Sequence, residues 1–200
     1  MMKKGERTRR RILERSAPVF NTKGYFGASM NDLVLASGLE KGGIYNHFQS
    51  KEQLALEAFD YAVEVMSGRF RETLAGREGA IERLFAIVDV LGALADDPPV
   101  PGGCPVLNTA VEADGANPAL KERAAEAMDG WLRLVGREVK EGVSRREISS
   151  GTDPRAVASV VVATLEGAVM LSRLEDDPEH MRRAVKHLKD HLRSLAKEDV

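Results

Sequence analysis

Lys41, Gly42, Gly43, Tyr45 and His47 fall in one short stretch, Lys51 follows four residues after His47, and Ser29 and Met30 precede it. These residue types suit binding rather than bond-breaking. Two ammonium groups offer charge to phosphates, a phenol and an imidazole offer directional hydrogen bonds, and the backbone N–H groups at helix starts add more donors. Gly42 and Gly43 are poor helix formers, each costing about 1 kcal/mol relative to Ala. They make sense where a backbone must come close to a partner; the plainer alternative is a weakened loop helix. His47 by itself reads as an exposed or core-rim imidazole.

Rival chemistries find little support. There is no Gly-rich phosphate loop, no metal-site cysteine pair, and no Ser or Cys beside a convincing base, so the chain is expected to be no enzyme and to need no cofactor. His187 and His191 stand one helical turn apart, which suits zinc in principle, yet no third ligand recurs at a suitable spacing. The single Cys104 excludes an intramolecular disulfide and fits a reducing cytoplasm, the expected location. The basic start from Met1 to Arg11 leads into no apolar run, so no secretory signal is expected. Unbroken apolar runs such as Val160 to Ala163 are too short to cross a bilayer, and no membrane partner is expected.

Charge points the same way as the residue cluster. A net charge of −2 hides a split: residues 1–51 hold 10 Lys and Arg against 4 Asp and Glu, or +6, and the remainder carries −8. A basic head on an acidic body suggests a polyanion for the head, unless the basic tail is merely solvated. An acidic body argues against a sequence-blind DNA coater.

Positioning these groups falls to helices. The spacing predicts a helix over about 7–23, with Ile12, Leu13, Ala17 and Phe20 on one face, a bend at Pro18 and a stop at Gly24. Ser29 as N-cap with Asp32 behind it starts a short helix over 30–37. Gly38 breaks it, and a further short helix spans 41–48. Ser50 and Gln53 form a capping box for a long helix to about residue 74. Helices follow over about 80–94 and 104–113. Asn117-Pro118, Asp153-Pro154 and Asp177-Pro178 each open one more. The fold class is all-α: an N-terminal three-helix domain with the shape of a DNA-binding helix-turn-helix (1–50), then a larger helical body (51–200). In a helix-turn-helix the second helix enters the major groove.

Arg10–Ile12, Phe20, Lys23-Gly24-Tyr25, Ser29–Leu33, Ala36–Leu39, Lys41–Phe48 and Ser50–Leu54 together resemble the tetracycline-repressor (TetR) family of bacterial regulators over about 50 consecutive residues. The resemblance implies that Ser29, Met30, Tyr45, His47 and Lys51 touch phosphates. It also implies that Lys41, Gly42 and Gly43 face base edges or the adjacent backbone. Glu40 departs from the small hydroxyl residue frequent in the family and puts the base contacts in doubt. The basic residues Lys3 to Arg11 are expected to track phosphates or reach a minor groove.

For the body, the resemblance implies a homodimer and a small-molecule effector pocket. Val157, Val161, Leu165 and Ala168, with Val185, Leu188 and Leu192 of the last helix, are the expected dimer interface. Met66, Phe70, Phe85, Cys104, Asn108, Trp131, Glu166 and Met170 are the expected ligand-binding residues; plain core is the alternative for each apolar one. Gly103-Cys104-Pro105 resembles a branch with a Gly-Cys pair entering a helix, some of whose members sense electrophiles through the thiol. The implied function is a dimeric, ligand-responsive regulator, a repressor by the family's habit, that binds a near-palindromic operator on double-stranded DNA.

Overall fold

A computed structural model describes residues 3–197, and every regular element among them is helical. The order is α1 (Lys4–Gly27), α2 (Met30–Ser37), α3 (Lys41–Tyr45), α4 (Lys51–Leu74), α5 (Ala80–Gly92), α6 (Pro105–Ala113), α7 (Pro118–Ser144), α8 (Pro154–Leu174) and α9 (Glu179–Ser194). The start signals act as expected. Asp32 N–H donates to Ser29 Oγ (3.2 Å), Leu120 N–H to Asn117 Oδ1 (3.1 Å), and Arg155 N–H to Asp153 Oδ1 (2.9 Å). Gly38 ends α2 in the left-handed region, φ 68°, where a side chain would be strained.

Two expectations for α1 need correction. The helix starts at Lys4, one turn before the expected residue 7, so Lys4, Arg7, Arg9, Arg10 and Arg11 all lie on it. The break in α1 comes at Gly24 (φ 76°, ψ 166°), and not at Pro18, where the backbone keeps helical angles.

The chain divides into two compact units, Met1–Met66 with Pro99–Glu126, and Ser67–Pro98 with Ala127–Val200. They do not follow the expected division at residue 50, because 51–66 and α6 belong to the unit that holds the helix-turn-helix. That first unit has a core of Ile12, Leu33, Ile44, Phe48 and Leu54, all but sealed from water. Each such side chain contributes about 1.5–3 kcal/mol through burial. They come from α1, α2, α3, the loop after α3, and α4, so one cluster fixes the angle between the two short helices. Arg9 closes its edge, with its guanidinium 4.5 Å from the Phe48 ring centroid and 2.6 Å from Glu57.

In the second unit, α5, α8 and α9 pack together. Gly92 lets α5 and α9 approach, since a Cβ there would lie 2.8 Å from Val185 Cγ2. The buried carboxylate of Glu138 pairs with Arg83 through two hydrogen bonds (2.6 and 3.0 Å), and Arg83 also donates to the carbonyls of Leu74 and Arg77 (both 3.1 Å). Burial pushes the Glu138 carboxyl up, but the Arg83 guanidinium, with help from Arg137, brings it net below the usual range. Removing one partner of such a buried pair costs far more than the pair contributes.

The expected dimer stripe is corrected here. Val157, Val161, Leu165, Ala168, Leu188 and Leu192 are buried inside the single chain, and Val185 packs on Gly92. A side chain already sealed from water has no surface left for a partner. The apolar face that α8 leaves exposed consists of Ala156, Val160, Ala163, Met170, Leu171 and Leu174, which recur at helical spacing. α8, 21 residues long with an 18-residue stretch of mean hydropathy 1.6, is long and apolar enough to cross a membrane by length and composition, which counting unbroken runs had missed. Half of that stretch is buried within the fold.

Candidate nucleic-acid interface

The reading helix begins at Lys41 and ends at Tyr45, shorter than the span to Phe48 expected from sequence. Ile44 points into the core, and this turns Lys41, Gly42 and Tyr45 outward. Tyr45 is 41% exposed, and the Lys41 ammonium lies 5.9 Å from its ring centroid. Gly42 has no internal reason to be glycine. Its φ is not positive, and an added Cβ would meet nothing within 4 Å. Gly5, Gly130 and Gly167 are equally open on other helices, so what sets Gly42 apart is its place on the outward face of α3.

Around α3 the remaining positions take up complementary places. Ser29 is exposed at the start of α2 and Met30 is half-buried behind it. Asp32 accepts from Ser29 N–H (2.8 Å), Ser29 Oγ (2.7 Å) and Lys23 Nζ (2.5 Å), which fixes the α2 entry. The hydrogen bond from Lys23, then those from Ser29, hold its carboxyl far below the ordinary carboxylate range. His47 is half-buried just past α3. Lys51 opens α4 with its ammonium 4.7 Å from the Tyr25 ring centroid. Burial, and then the charge of Glu52, raise the Tyr25 phenol above its usual value.

Sequence reasoning missed how the end of α1 is held. Because Gly24 leaves the helix, the N–H groups of Tyr25 and Phe26 lose their helical partners, and both donate to the Glu112 carboxylate on α6 (2.7 and 2.9 Å). One turn earlier, Asn108 Nδ2 donates to Asn21 Oδ1 (2.9 Å), Asn21 O (3.1 Å) and Gly102 O (2.8 Å). Asn21 Nδ2 in turn donates to the carbonyls of Pro101 (3.0 Å) and Gly103 (3.2 Å). A signal was available: Asn108 and Glu112 lie four apart on one helix, and so share a face.

The expected ligand-binding residues scatter. A cleft of about 30 Å³, roughly one water, lies in the first unit between α1, α4, α6 and α7. Phe20, Tyr25, Phe59 and Asn108 are among the residues lining it, and Asn108 is the one member of the expected set that does. Met66 and Cys104 are fully buried. Phe70 and Trp131 pack edge to face at 6.1 Å. Phe85 lies beneath Lys189 and Arg193, and Met170 is 53% exposed on α8. Glu166 is buried on α8. Cys104 caps α6, its Sγ accepting from Leu107 N–H (3.3 Å). His187 and His191 stand exposed on α9, and among the described residues no cluster of three or more His, Cys, Asp or Glu could hold a metal.

A tight pair of short helices, with the second presenting a lysine, a tyrosine and an unexplained glycine, defines a helix-turn-helix DNA-binding protein. Two family models match the chain, the tetR family of bacterial regulatory proteins over residues 12–58 and the tetracyclin repressor-like C-terminal domain over residues 80–188. The chain therefore belongs to the TetR family of transcriptional regulators. A TetR regulator from Chloroflexus aurantiacus is 43% identical with a TM-score of 0.93, covering 98% of both chains. One from Cytophaga hutchinsonii is 32% identical at 0.90, over the full length of both. The transcriptional repressor DhaR of Mycobacterium sp. strain GP1 is 24% identical over 176 residues, 86% of this chain and 85% of its own.

Proposed function

We propose that the protein is a homodimeric repressor that reads a near-palindromic operator and lets go when a small molecule binds its body. The observation that carries the reading is the outward face of α3, where Lys41, Gly42 and Tyr45 stand free of internal packing. Lys41 and Gly42 meet base edges or the adjacent backbone, with Gly43 beside them. Ser29, Met30, Tyr45, His47 and Lys51 bond phosphates. Such contacts position the protein, while base-edge contacts select the sequence.

The dimer forms through the exposed face of α8, Ala156, Val160, Ala163, Met170, Leu171 and Leu174, against its symmetry mate. A contiguous apolar face of this kind on a soluble protein is an interaction site. Two-fold symmetry then sets the reading helices about 34–36 Å apart, one turn of DNA, and demands matching half-sites. Phe70, Trp131 and Glu166 are the effector-binding candidates that remain in the second unit, aromatic bulk with one carboxylate. Whatever binds there releases DNA only by favouring the state that cannot hold it. A thiol trigger at Cys104 requires the start of α6 to open first, because the sulfur is sealed from solvent. A regulator of this kind works in the bacterial cytoplasm, where its DNA is.

Selection of bound duplexes from a random pool at physiological salt tests the reading. Enrichment of a near-palindrome with half-sites about one turn apart is expected. Binding without enrichment that fades uniformly with salt would replace it with non-specific binding.

A further inference from the structure

We infer that Glu112 is a positioning residue for operator binding, a carboxylate latch that holds the end of α1 so that Tyr25 can seat the Lys51 ammonium at the phosphate backbone. The inference rests on the operator reading above.

Three features of the sequence converge on this one carboxylate. Gly24 takes φ 76°, a conformation that strains any side chain, and so frees two backbone donors. Both donors, Tyr25 N–H and Phe26 N–H, turn to Glu112. The carboxylate sits so close that a Cβ on Gly24 would lie 2.6 Å from Glu112 Oε1. Glycine is thus required twice, for its angle and for the approach. Hydrogen bonds to a charged acceptor are about twice as strong as neutral ones, and two in parallel also fix direction.

What the latch fixes lies at the DNA-facing end of the unit. Tyr25 carries Lys51 on its ring face (4.7 Å), and Ala28, whose N–H returns to Gly24 O (3.0 Å), leads into Ser29, the cap of α2. The end of α1 therefore places both a cation and a helix start. Glu112 itself is an odd choice for a DNA-binding unit, since on charge alone it repels phosphate. Its deletion separates two outcomes by sign. Loss of a repelling charge strengthens binding; loss of a latch weakens it.

The test uses the full-length protein and the operator duplex enriched above, with anisotropy titrations across salt for wild type, Glu112→Ala, Glu112→Gln, Lys51→Ala and the Lys51→Ala/Glu112→Ala double variant. Glu112→Ala is expected to weaken operator binding a few-fold and to lower the slope of log affinity against log salt by about two units, one for each subunit of the dimer, as Lys51→Ala does, with no further fall in slope in the double variant. Glu112→Gln, which keeps one acceptor, falls between wild type and Glu112→Ala. Should Glu112→Ala fail to fold by circular dichroism, Glu112→Gln is held to the same slope criterion. Unchanged or tighter binding overturns the latch. So does weaker binding with an unchanged slope, because a merely structural loss lowers the active fraction equally at every salt. Failure of the wild type to select any sequence sinks the operator reading instead and is visible before any variant is made.

Discussion

On α3 the outward residues are Lys41, Gly42 and Tyr45; on α8 the apolar outward residues are Ala156, Val160, Ala163, Met170, Leu171 and Leu174. The first set is at ease in water. Its peculiarity is a glycine that nothing inside the chain explains. The second set is not at ease, and Leu174 at 76% and Met170 at 53% exposed give up burial that a partner would restore. The polar face fits a hydrated polyanion, which is met by charge and close backbone approach. The apolar face fits another apolar face, and in a symmetric assembly that is its own copy.

The largest effect expected from breaking this contrast comes from placing a charge on the apolar face. Val160→Asp leaves the fold intact, because Val160 is half-exposed, but converts the dimer to a monomer of 21.8 kDa in sedimentation. Operator affinity then falls about a hundredfold or more, as the two heads no longer act as one bivalent reader. A variant that stays dimeric would move the interface off this face. Leu188→Ala sharpens the point from the other side. Leu188 is sealed inside the chain, so its truncation is expected to lower unfolding stability by about 2–5 kcal/mol in denaturant titrations. A change in association with undiminished stability would return Leu188 to the interface. Next in size is Gly42→Ala. It raises helix propensity and meets nothing within 4 Å, so the melting temperature holds or rises slightly. Operator affinity drops about tenfold, the scale of one lost base contact. Unchanged affinity would make Gly42 an accident of the loop.

The contrast also marks what the sequence made legible. The helices and their starts follow from short-range rules, and Ser29, Asn117 and Asp153 cap where such residues should. The proposed DNA-facing set could be drawn up from sequence because it lies in one stretch, and the turn at Gly38 helps set which way α3 faces. The apolar helices were legible as buried but not as to which side. In α8, apolar residues run nearly all round, and periodicity cannot tell the face that meets α9 from the face left exposed. Val157 and Val160 differ only in what lies opposite, which is a tertiary fact. The end of α1 shows the same limit. Gly24 was recognisable as a stop, but the groups it frees find Glu112 from 86 residues or more away. Only α6 packing on α1 brings that carboxylate to them.

Smaller effects probe the polar face itself. Lys51→Ala should weaken every DNA sequence alike, by a few-fold, and reduce the salt slope by about two units, one for each subunit, since a phosphate contact carries charge but no sequence information. A shift in the selected sequence would make Lys51 a reader of bases.

The smallest expected effect lies at the α2 entry and is one of pH. Asp32 is held far below the ordinary carboxylate range, by Lys23 first and then by Ser29. A carboxyl whose folded value lies below its unfolded one contributes stability that is full above the unfolded value, about pH 4, and is lost as pH falls toward the folded value. Asp32→Asn removes the charge but keeps one oxygen for the Ser29 donors. The gap in melting temperature between wild type and Asp32→Asn should therefore be small but constant from pH 7 to about pH 5, and close steadily below about pH 4. The group lies near the surface, where water and salt screen it, so added salt should narrow the gap as well. A gap that persists unchanged to pH 2.5 would mean that Asp32 serves α2 by its shape as a cap and not by its charge. The contrast between the two faces would then reach less deep, because the polar face would owe its local order to the same short-range geometry that builds the rest of the fold.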